Sequence, residues 1–458
     1  VKRLRLIWLR LLGSLWFVPT LVTAGCMSLA VGLVEAGTWV EIDLARDWPL
    51  LFGAGANAAR SMLSAIATSM ITVAGVVFSV TIVALSLASS QYSPRVLRNF
   101  MGDRPTQLVL GVFVGIFAYC LVVLRTIRSM DEGDGFMPSL AVVGGLALAL
   151  CGVAVLIYFI HHVASSIQAS SILERIAADT GDAINWLFPQ ELADDAAIEG
   201  AAPAGEDALV WQPVTAAVSG YLVSLDDDRL LDVAREQGRV LRMARPLGDF
   251  VIDGDVLVEV SGSAPVSPEL QRRMRSAFTL GPQRDVHQDA AYGLQQLVDV
   301  ALKALSPGVN DRTTAVMCID RIAALLARLA SRRMPAARRS DGPVLRVIAR
   351  TVELEDLLAL ALDPITEHAR GDSQVLGRLL WALGAIERRA TEGDRRAALL
   401  RRLSLVQEGI RLQVASPVQQ QGLLLMAEEI EARLRHLPLW LPADPDGAAR
   451  GGHDGKHA

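Results

Sequence analysis

The side chains best able to do chemistry gather late in the chain: Arg284, Asp285, His287 and Asp289, then Asn310, Asp311, Thr313 and Thr314. Their carboxylate, amide and hydroxyl oxygens would suit a hard cation. Each also has a local use. Asp289 stands where a helix would begin, and Asn310 or Asp311 follows a Ser306-Pro307-Gly308 break where a second would open, so capping accounts for the same residues. The cluster His287, Asp289, Asn310 and Asp311 is therefore expected to be structural, with no metal and no cofactor. His161 and His162 are a second candidate pair. Adjacent residues on a helix point about 100° apart and cannot grip one metal from one face. They read as a polar anchor at a membrane boundary, with a pH-responsive role as the alternative.

Composition removes several kinds of enzyme. The only lysines are Lys2, Lys303 and Lys456, so the Gly-Lys-Ser/Thr of a phosphate-binding loop is absent. No nucleophile elbow, metalloprotease helix, dinucleotide fingerprint or kinase signature occurs, and the expectation is a protein that is not an enzyme. A net charge of -5 gives no reason to expect nucleic acid as a partner. Cys26, Cys120, Cys151 and Cys318 are scattered without ligand spacing and read as reduced, structural thiols.

What the chain has in quantity is apolar sequence. Residues are 52% apolar, the mean hydropathy is +0.35, and the excess lies before His161. Residues 61–90 carry no charge yet are dotted with hydroxyls. As a helix this stretch would reach about 45 Å, beyond a hydrocarbon core of about 30 Å. On that helix Ser64, Thr68, Thr72, Gly75, Ser79 and Ser86 fall along one stripe, continued by Ser61 and Ser90. Small and hydroxyl residues are common material for helix contacts in membranes. Arranged around an axis in several copies, they could instead line a wet path.

Four spans are expected: Leu11–Val34, the long helix ending at Ser93-Pro94, about Thr106–Leu124 and about Leu140–Ile160. The basic start of the chain resembles a signal peptide, but the apolar run is too long for one, and a retained span is expected. Lys2, Arg3, Arg5 and Arg10, together with Arg95, Arg98 and Arg104, assign the first residues and the loop after the second span to the cytoplasm. The sequence from His161 has no helix breaker, so the fourth helix is expected to run on to about Thr180 and couple membrane and cytosol rigidly.

The expected fold class is an α-helical transmembrane bundle of four spans followed by a cytosolic α+β region. Residues 1–180 form the membrane domain and 181–207 a linker. Residues 208–265 form a small β module, 266–440 a helical domain and 441–458 a disordered tail. In the module, Ser219-Gly220-Tyr221 and Gly248 to Asp255 make it similar to the compact β-barrel of biotinyl and lipoyl domains, although it has no lysine to carry a prosthetic group. From Pro268 to Leu437 the pattern reads as helical throughout, including a helix near Val344–Leu362.

Several strings together resemble one family. They are Val77-Phe78-Ser79-Val80-Thr81, Ser89-Ser90-Gln91-Tyr92-Ser93-Pro94-Arg95, His161-His162, Gln288-Asp289-Ala290-Ala291-Tyr292-Gly293 and Ala304-Leu305-Ser306-Pro307-Gly308-Val309-Asn310-Asp311. The chain resembles the bacterial membrane proteins grouped as domain of unknown function 2254. That resemblance implies an inner-membrane protein and no particular activity; Arg312 departs from it, where proline is expected. With the stripe, the functional expectation is an oligomeric pore for an ion or small solute. The alternative is a non-conducting scaffold or sensor in which the stripe packs against the other spans. The expected partners are the lipid bilayer, further copies of the chain and inorganic ions.

Overall fold

The computed structural model describes residues 16–39, 56–91, 103–127, 138–166, 168–188, 209–341, 344–390 and 393–436. The chain divides into two compact units, Val1–Ile172 and Leu173–Ala458. In the first, four helices are long and apolar enough to cross a membrane: α1 (Phe17–Trp39), α2 (Ala56–Gln91), α3 (Arg104–Thr126) and α4 (Ser139–Ser166). The middle of this bundle is α3, which is 50% buried over its most apolar window against 6–17% for the other three. Gly111 and Gly115 lie one helical turn apart on α3 and let α1 come close. A Cβ at Gly111 would stand 2.9 Å from the Pro19 Cα, and one at Gly115 would stand 2.8 Å from the Cys26 Sγ. On another side the buried Tyr119 hydroxyl donates to the Ala141 carbonyl of α4 at 2.7 Å. Asp103 caps α3, with Pro105 in the first turn, and Arg60 of α2 donates to the Ile127 carbonyl just past its other end at 2.6 Å. Outward faces carry exposed Leu21, Val31, Val83, Leu150 and Ile157, a surface suited to lipid.

The expected continuous helix from His161 to Thr180 is not found. Helix α4 stops at Ser166, and α5 (Ala169–Leu187) begins anew after Gln168, whose carbonyl accepts from Ser171 N and Ile172 N. Serines on both sides explain the interruption, because their hydroxyls compete for backbone; the Ser165 hydroxyl already bonds the His161 carbonyl. From Leu173 onward α5 belongs to the second unit. It also continues to Leu187, into the stretch expected to be linker, while residues 189–207 and the tail 441–458 lie outside the described residues.

The second unit contains two open sheets. One has the order β1-β5-β3-β8-β7, from β1 (Trp211–Thr215), β5 (Val256–Ser261), β3 (Leu241–Met243), β8 (Val344–Ile348) and β7 (Arg338–Asp341). The other has the order β4-β2-β6, from β4 (Phe250–Val251), β2 (Gly220–Leu225) and β6 (Phe278–Gly281). Neither closes, so the barrel expectation is corrected. Helix α6 (Asp227–Gln237) is capped by Asp226 and ends at Gly238, whose φ of 62° suits glycine. The helical reading after Pro268 is also corrected at β6, β7 and β8. Leu345 and Val347 alternate with less buried neighbours on β8, a period-two pattern, and β8 pairs parallel to β3 through Leu241 and Val347.

The remaining helices are α7 (Pro268–Arg275), α8 (Ala290–Leu305), α9 (Arg312–Ala330), α10 (Leu354–His368), α11 (Ser373–Glu387), α12 (Gly393–Gln413) and α13 (Pro417–His436). Helix α5 docks on this array. Arg332 donates to the Phe188 carbonyl at 2.7 Å, Arg321 pairs with Glu174, and a Cβ at Gly293 of α8 would stand 2.1 Å from the Thr180 Oγ1. Gly422 of α13 has open space instead. Gly293→Ala should therefore destabilise by about 1–3 kcal/mol through overpacking. Gly422→Ala should stabilise by up to about 1 kcal/mol through helix propensity. Thermal unfolding of both full-length variants in detergent checks the opposite signs.

Candidate functional site

Within the first unit, the end of α4, the start of α3 and the last third of α2 enclose a groove of about 100 Å³. Its polar end is made by Asp103, Thr106, Gln107, His162 and Ser166, and its wall by Val77, Phe78, Thr81, Ile82, Ala84 and Leu85 of α2 with Leu110 and Val163. The capping requirement of α3 puts Asp103 there: its carboxylate accepts from Thr106 N at 3.3 Å and from the Thr106 hydroxyl at 2.6 Å. The same Oδ2 lies 2.8 Å from His162 Nε2. A carboxylate only accepts, so Nε2 carries the proton in this bond, and Ser166 Oγ, 3.4 Å from the same nitrogen, acts as an acceptor toward it. Serine, histidine and aspartate thus meet without forming a hydrolase relay, which needs the two partners on opposite ring nitrogens. Tyr158 stacks on the His162 ring at 5.8 Å between centroids. Burial raises the Asp103 carboxyl, but hydrogen bonds from Thr106 and His162 outweigh it and hold the group below its usual range.

The two adjacent histidines therefore separate in role. His162 is half-buried against Asp103 and bridges α4 to α3, whereas His161 is exposed. Arg95 and Arg98 lie outside the described residues. Asp103, Thr106 and Gln107 join the site only in the structure, although Asp-Arg-Pro-Thr ahead of an apolar run is a helix-start signal.

The stripe on α2 has a clear placement. Ser61, Ser64, Thr68, Thr72, Gly75, Ser79 and Ser86 are all exposed, and a Cβ at Gly75 would meet nothing within 4 Å. The face that α2 buries is instead Ala59, Leu63, Ala67, Met70, Ala74 and Val77, nearly opposite the stripe on the helix. The expectation that the hydroxyls pack against the other spans of the same chain is corrected. An apolar face rich in alanine makes the contact inside the chain, with Leu63 beside Gly145 and Met70 beside Gly152 of α4, and it needs no hydrogen-bond partner. Some stripe hydroxyls are satisfied locally, as Ser61 on the Asn57 carbonyl at 2.9 Å and Thr72 on the Thr68 carbonyl at 2.7 Å.

The polar cluster of the second unit is divided. Asp289 caps α8 and Asp311 caps α9, at opposite ends of α8, a separation of about 24 Å along its 16 residues. His287 is exposed, and Asn310 turns the chain with a left-handed φ of 49°. Thr314 holds the Asp311 carboxyl below its usual range through its hydroxyl and backbone N–H. Asp289 is 6% exposed and meets Arg284, which reaches it through Nε at 2.8 Å and Nη2 at 2.7 Å. Burial raises the Asp289 carboxyl, and the Arg284 charge offsets only part of that. Gly248, at φ 91°, passes so close that a Cβ would stand 2.5 Å from the Asp289 Oδ2, so this pair locks the loop before β4 to the start of α8. Among the described residues no group of three His, Cys, Asp or Glu is placed to hold a metal.

Four apolar spans, three of them packed around the glycine-bearing α3, followed by a mixed α/β unit, define a multipass membrane protein. The chain belongs to the family described as predicted membrane protein, DUF2254, which matches residues 13–385 and so stops within α11. It is 33% identical over 403 residues to an uncharacterized protein of Mycobacterium bovis and, equally, to one of Mycobacterium tuberculosis, covering 86% of this chain and 75% of each relative. No solved structure matches the chain.

Asp103→Ala should cost about 1–3 kcal/mol at neutral pH through loss of the cap and of the His162 bond. A carboxyl whose folded pKa is depressed contributes fully above the ordinary carboxylate value of about 4, and the contribution is lost as pH falls through the lower folded value. Unfolding of wild type and Asp103→Ala in detergent, followed from neutral to strongly acidic pH, should show the two curves converging at the acid end.

Proposed function

We propose that the chain is a non-enzymatic, oligomeric protein of the bacterial inner membrane that passes an ion or small solute along the hydroxyl face of α2. The observation that carries this reading is the outward direction of the whole stripe from Ser61 to Ser86, opposite the face that packs on α3. A lipid-exposed helix gains nothing from such a row, whereas copies of the chain meeting there would gain close backbone approach and hydroxyls along a shared path. The basic residues Lys2, Arg3, Arg5, Arg10, Arg95 and Arg98 support a cytoplasmic N-terminus and, after four spans, a cytoplasmic α/β unit. That unit would act as vestibule or regulator, and the bilayer, further copies and inorganic ions are the partners this reading requires.

A second reading is a scaffold or sensor in which the stripe joins copies without a path between them. The bonds from the Ser61 and Thr72 hydroxyls to their own helix favour it, because hydroxyls so satisfied do not need water.

Single cysteines at Thr72, Ser79 and Ser86, in a chain whose four native cysteines are replaced, separate the two readings. Conduction predicts that water-soluble thiol reagents modify all three and block current in reconstituted bilayers, while Val73 and Val80 stay unreactive. Disulfide cross-linking between copies without current would leave the scaffold. Uniform protection of all five positions, without cross-links or current, would defeat both.

A further inference from the structure

The groove between α2, α3 and α4 has a use independent of conduction. We propose that it seats one acyl chain of a membrane phospholipid, with the polar part of that lipid at the Asp103, Thr106 and His162 end. Three observations bear on the occupant.

The first is continuity. Phe78 and Ile82 line the groove and are also 55% and 46% exposed on the outside of the bundle, so the groove opens sideways onto the apolar surface that faces the bilayer. An occupant entering from that side is a lipid component.

The second is size. About 100 Å³ is below the roughly 150 Å³ of a dry cavity that admits benzene, so the groove takes a segment of a longer apolar molecule rather than a compact ligand. A hydrocarbon chain can place one segment between Thr81, Leu85 and Val163 while the rest lies along Phe78 and Ile82.

The third is polarity along the groove. Thr81 already donates its hydroxyl to the Val77 carbonyl at 2.8 Å, which leaves that wall effectively apolar. At the other end the Asp103 carboxylate accepts from Thr106 and His162, and the Gln107 amide and the Ser166 hydroxyl line the space beside them. Such an end matches the ester and glycerol region of a phospholipid, where acyl chains meet polar groups. A purely hydrocarbon ligand would leave that end unmatched.

The test is photolabelling of the wild-type, full-length protein in vesicles of phosphatidylethanolamine and phosphatidylglycerol doped with a phospholipid carrying a diazirine in its acyl chain. Seating predicts label concentrated on Phe78, Thr81, Ile82, Leu85 and Val163, above that on Val83, Leu150, Val153 and Ile157, which are exposed on the same bundle and do not line this groove. Ala84→Trp should fill the space and abolish the excess, whereas Val83→Trp, on the exposed surface, should leave it. Labelling spread evenly over all these residues, or an excess that survives Ala84→Trp in a variant with unchanged melting temperature, would overturn the proposal. So would absence of label from the groove, which would mean that the chain itself fills it.

Discussion

Close approach of helices to α3 is the constraint from which the first unit follows. In a bilayer an apolar side chain gains nothing by leaving lipid for protein, so helices associate through dense contact and a few internal hydrogen bonds. Gly111 and Gly115 provide the first by letting Pro19 and Cys26 of α1 lie against the α3 backbone. Tyr119 provides the second on the side of α4, where Gly144 is so near that a Cβ would stand 2.6 Å from the tyrosine hydroxyl. With α1 and α4 fixed on two sides, α2 buries Leu63, Ala67, Met70 and Ala74 against the bundle, Leu63 lying beside Gly145 and Met70 beside Gly152 of α4. The outward direction of the hydroxyl stripe is a consequence of that choice of face.

The stripe is then best understood as sequence that the single chain does not use. Hydroxyls on a transmembrane helix are inexpensive where they bond the preceding turn, as Thr72 does, because no unsatisfied donor faces hydrocarbon. Gly75 has no such excuse. A glycine in mid-helix costs about 1 kcal/mol relative to alanine, and nothing within 4 Å of its missing Cβ explains it inside the chain. Its neighbours Thr72 and Ser79 continue the same narrow, smooth face. On the assembly proposed above, a contact with another copy would account for such a face at Gly75.

Much of the architecture was legible because its signals are local. Long uncharged runs mark α1 to α4, and Asp289, Asp311 and Asp372 before apolar periodicity mark the starts of α8, α9 and α11, where each now accepts from a backbone N–H of the first turn. What could not be read depends on distant partners. The strand Val344–Ile348 resembles the start of a helix until Leu241 is beside Val347 in a parallel pair. The interval between α4 and α5 contains neither glycine nor proline, and the serines that flank it compete for backbone with no outcome fixed in sequence. His162 was recognisable as special, yet its partner Asp103 is 59 residues away. Gly293 was visible within Gln-Asp-Ala-Ala-Tyr-Gly, but its reason is Thr180 on another helix.

The groove, finally, follows from the unequal lengths of two neighbours. Helix α2 has 36 residues and α3 has 23, about 54 Å against 35 Å. The bond from Arg60 to the Ile127 carbonyl aligns the start of α2 with the end of α3. Counting equal steps back along these antiparallel helices sets Leu110 opposite Val77, Thr106 opposite Thr81 and Asp103 opposite Ala84, all of them groove residues. Beyond that level α2 has no further turn of α3 to pack on, and His162, Val163 and Ser166 of α4 line the groove there. A polar helix start thus meets an apolar helix that has outrun its partner. The Asp103–His162 bond closes the α3–α4 side of that junction, and among the described residues the exposed Phe78 and Ile82 carry the space onto the exterior of the bundle.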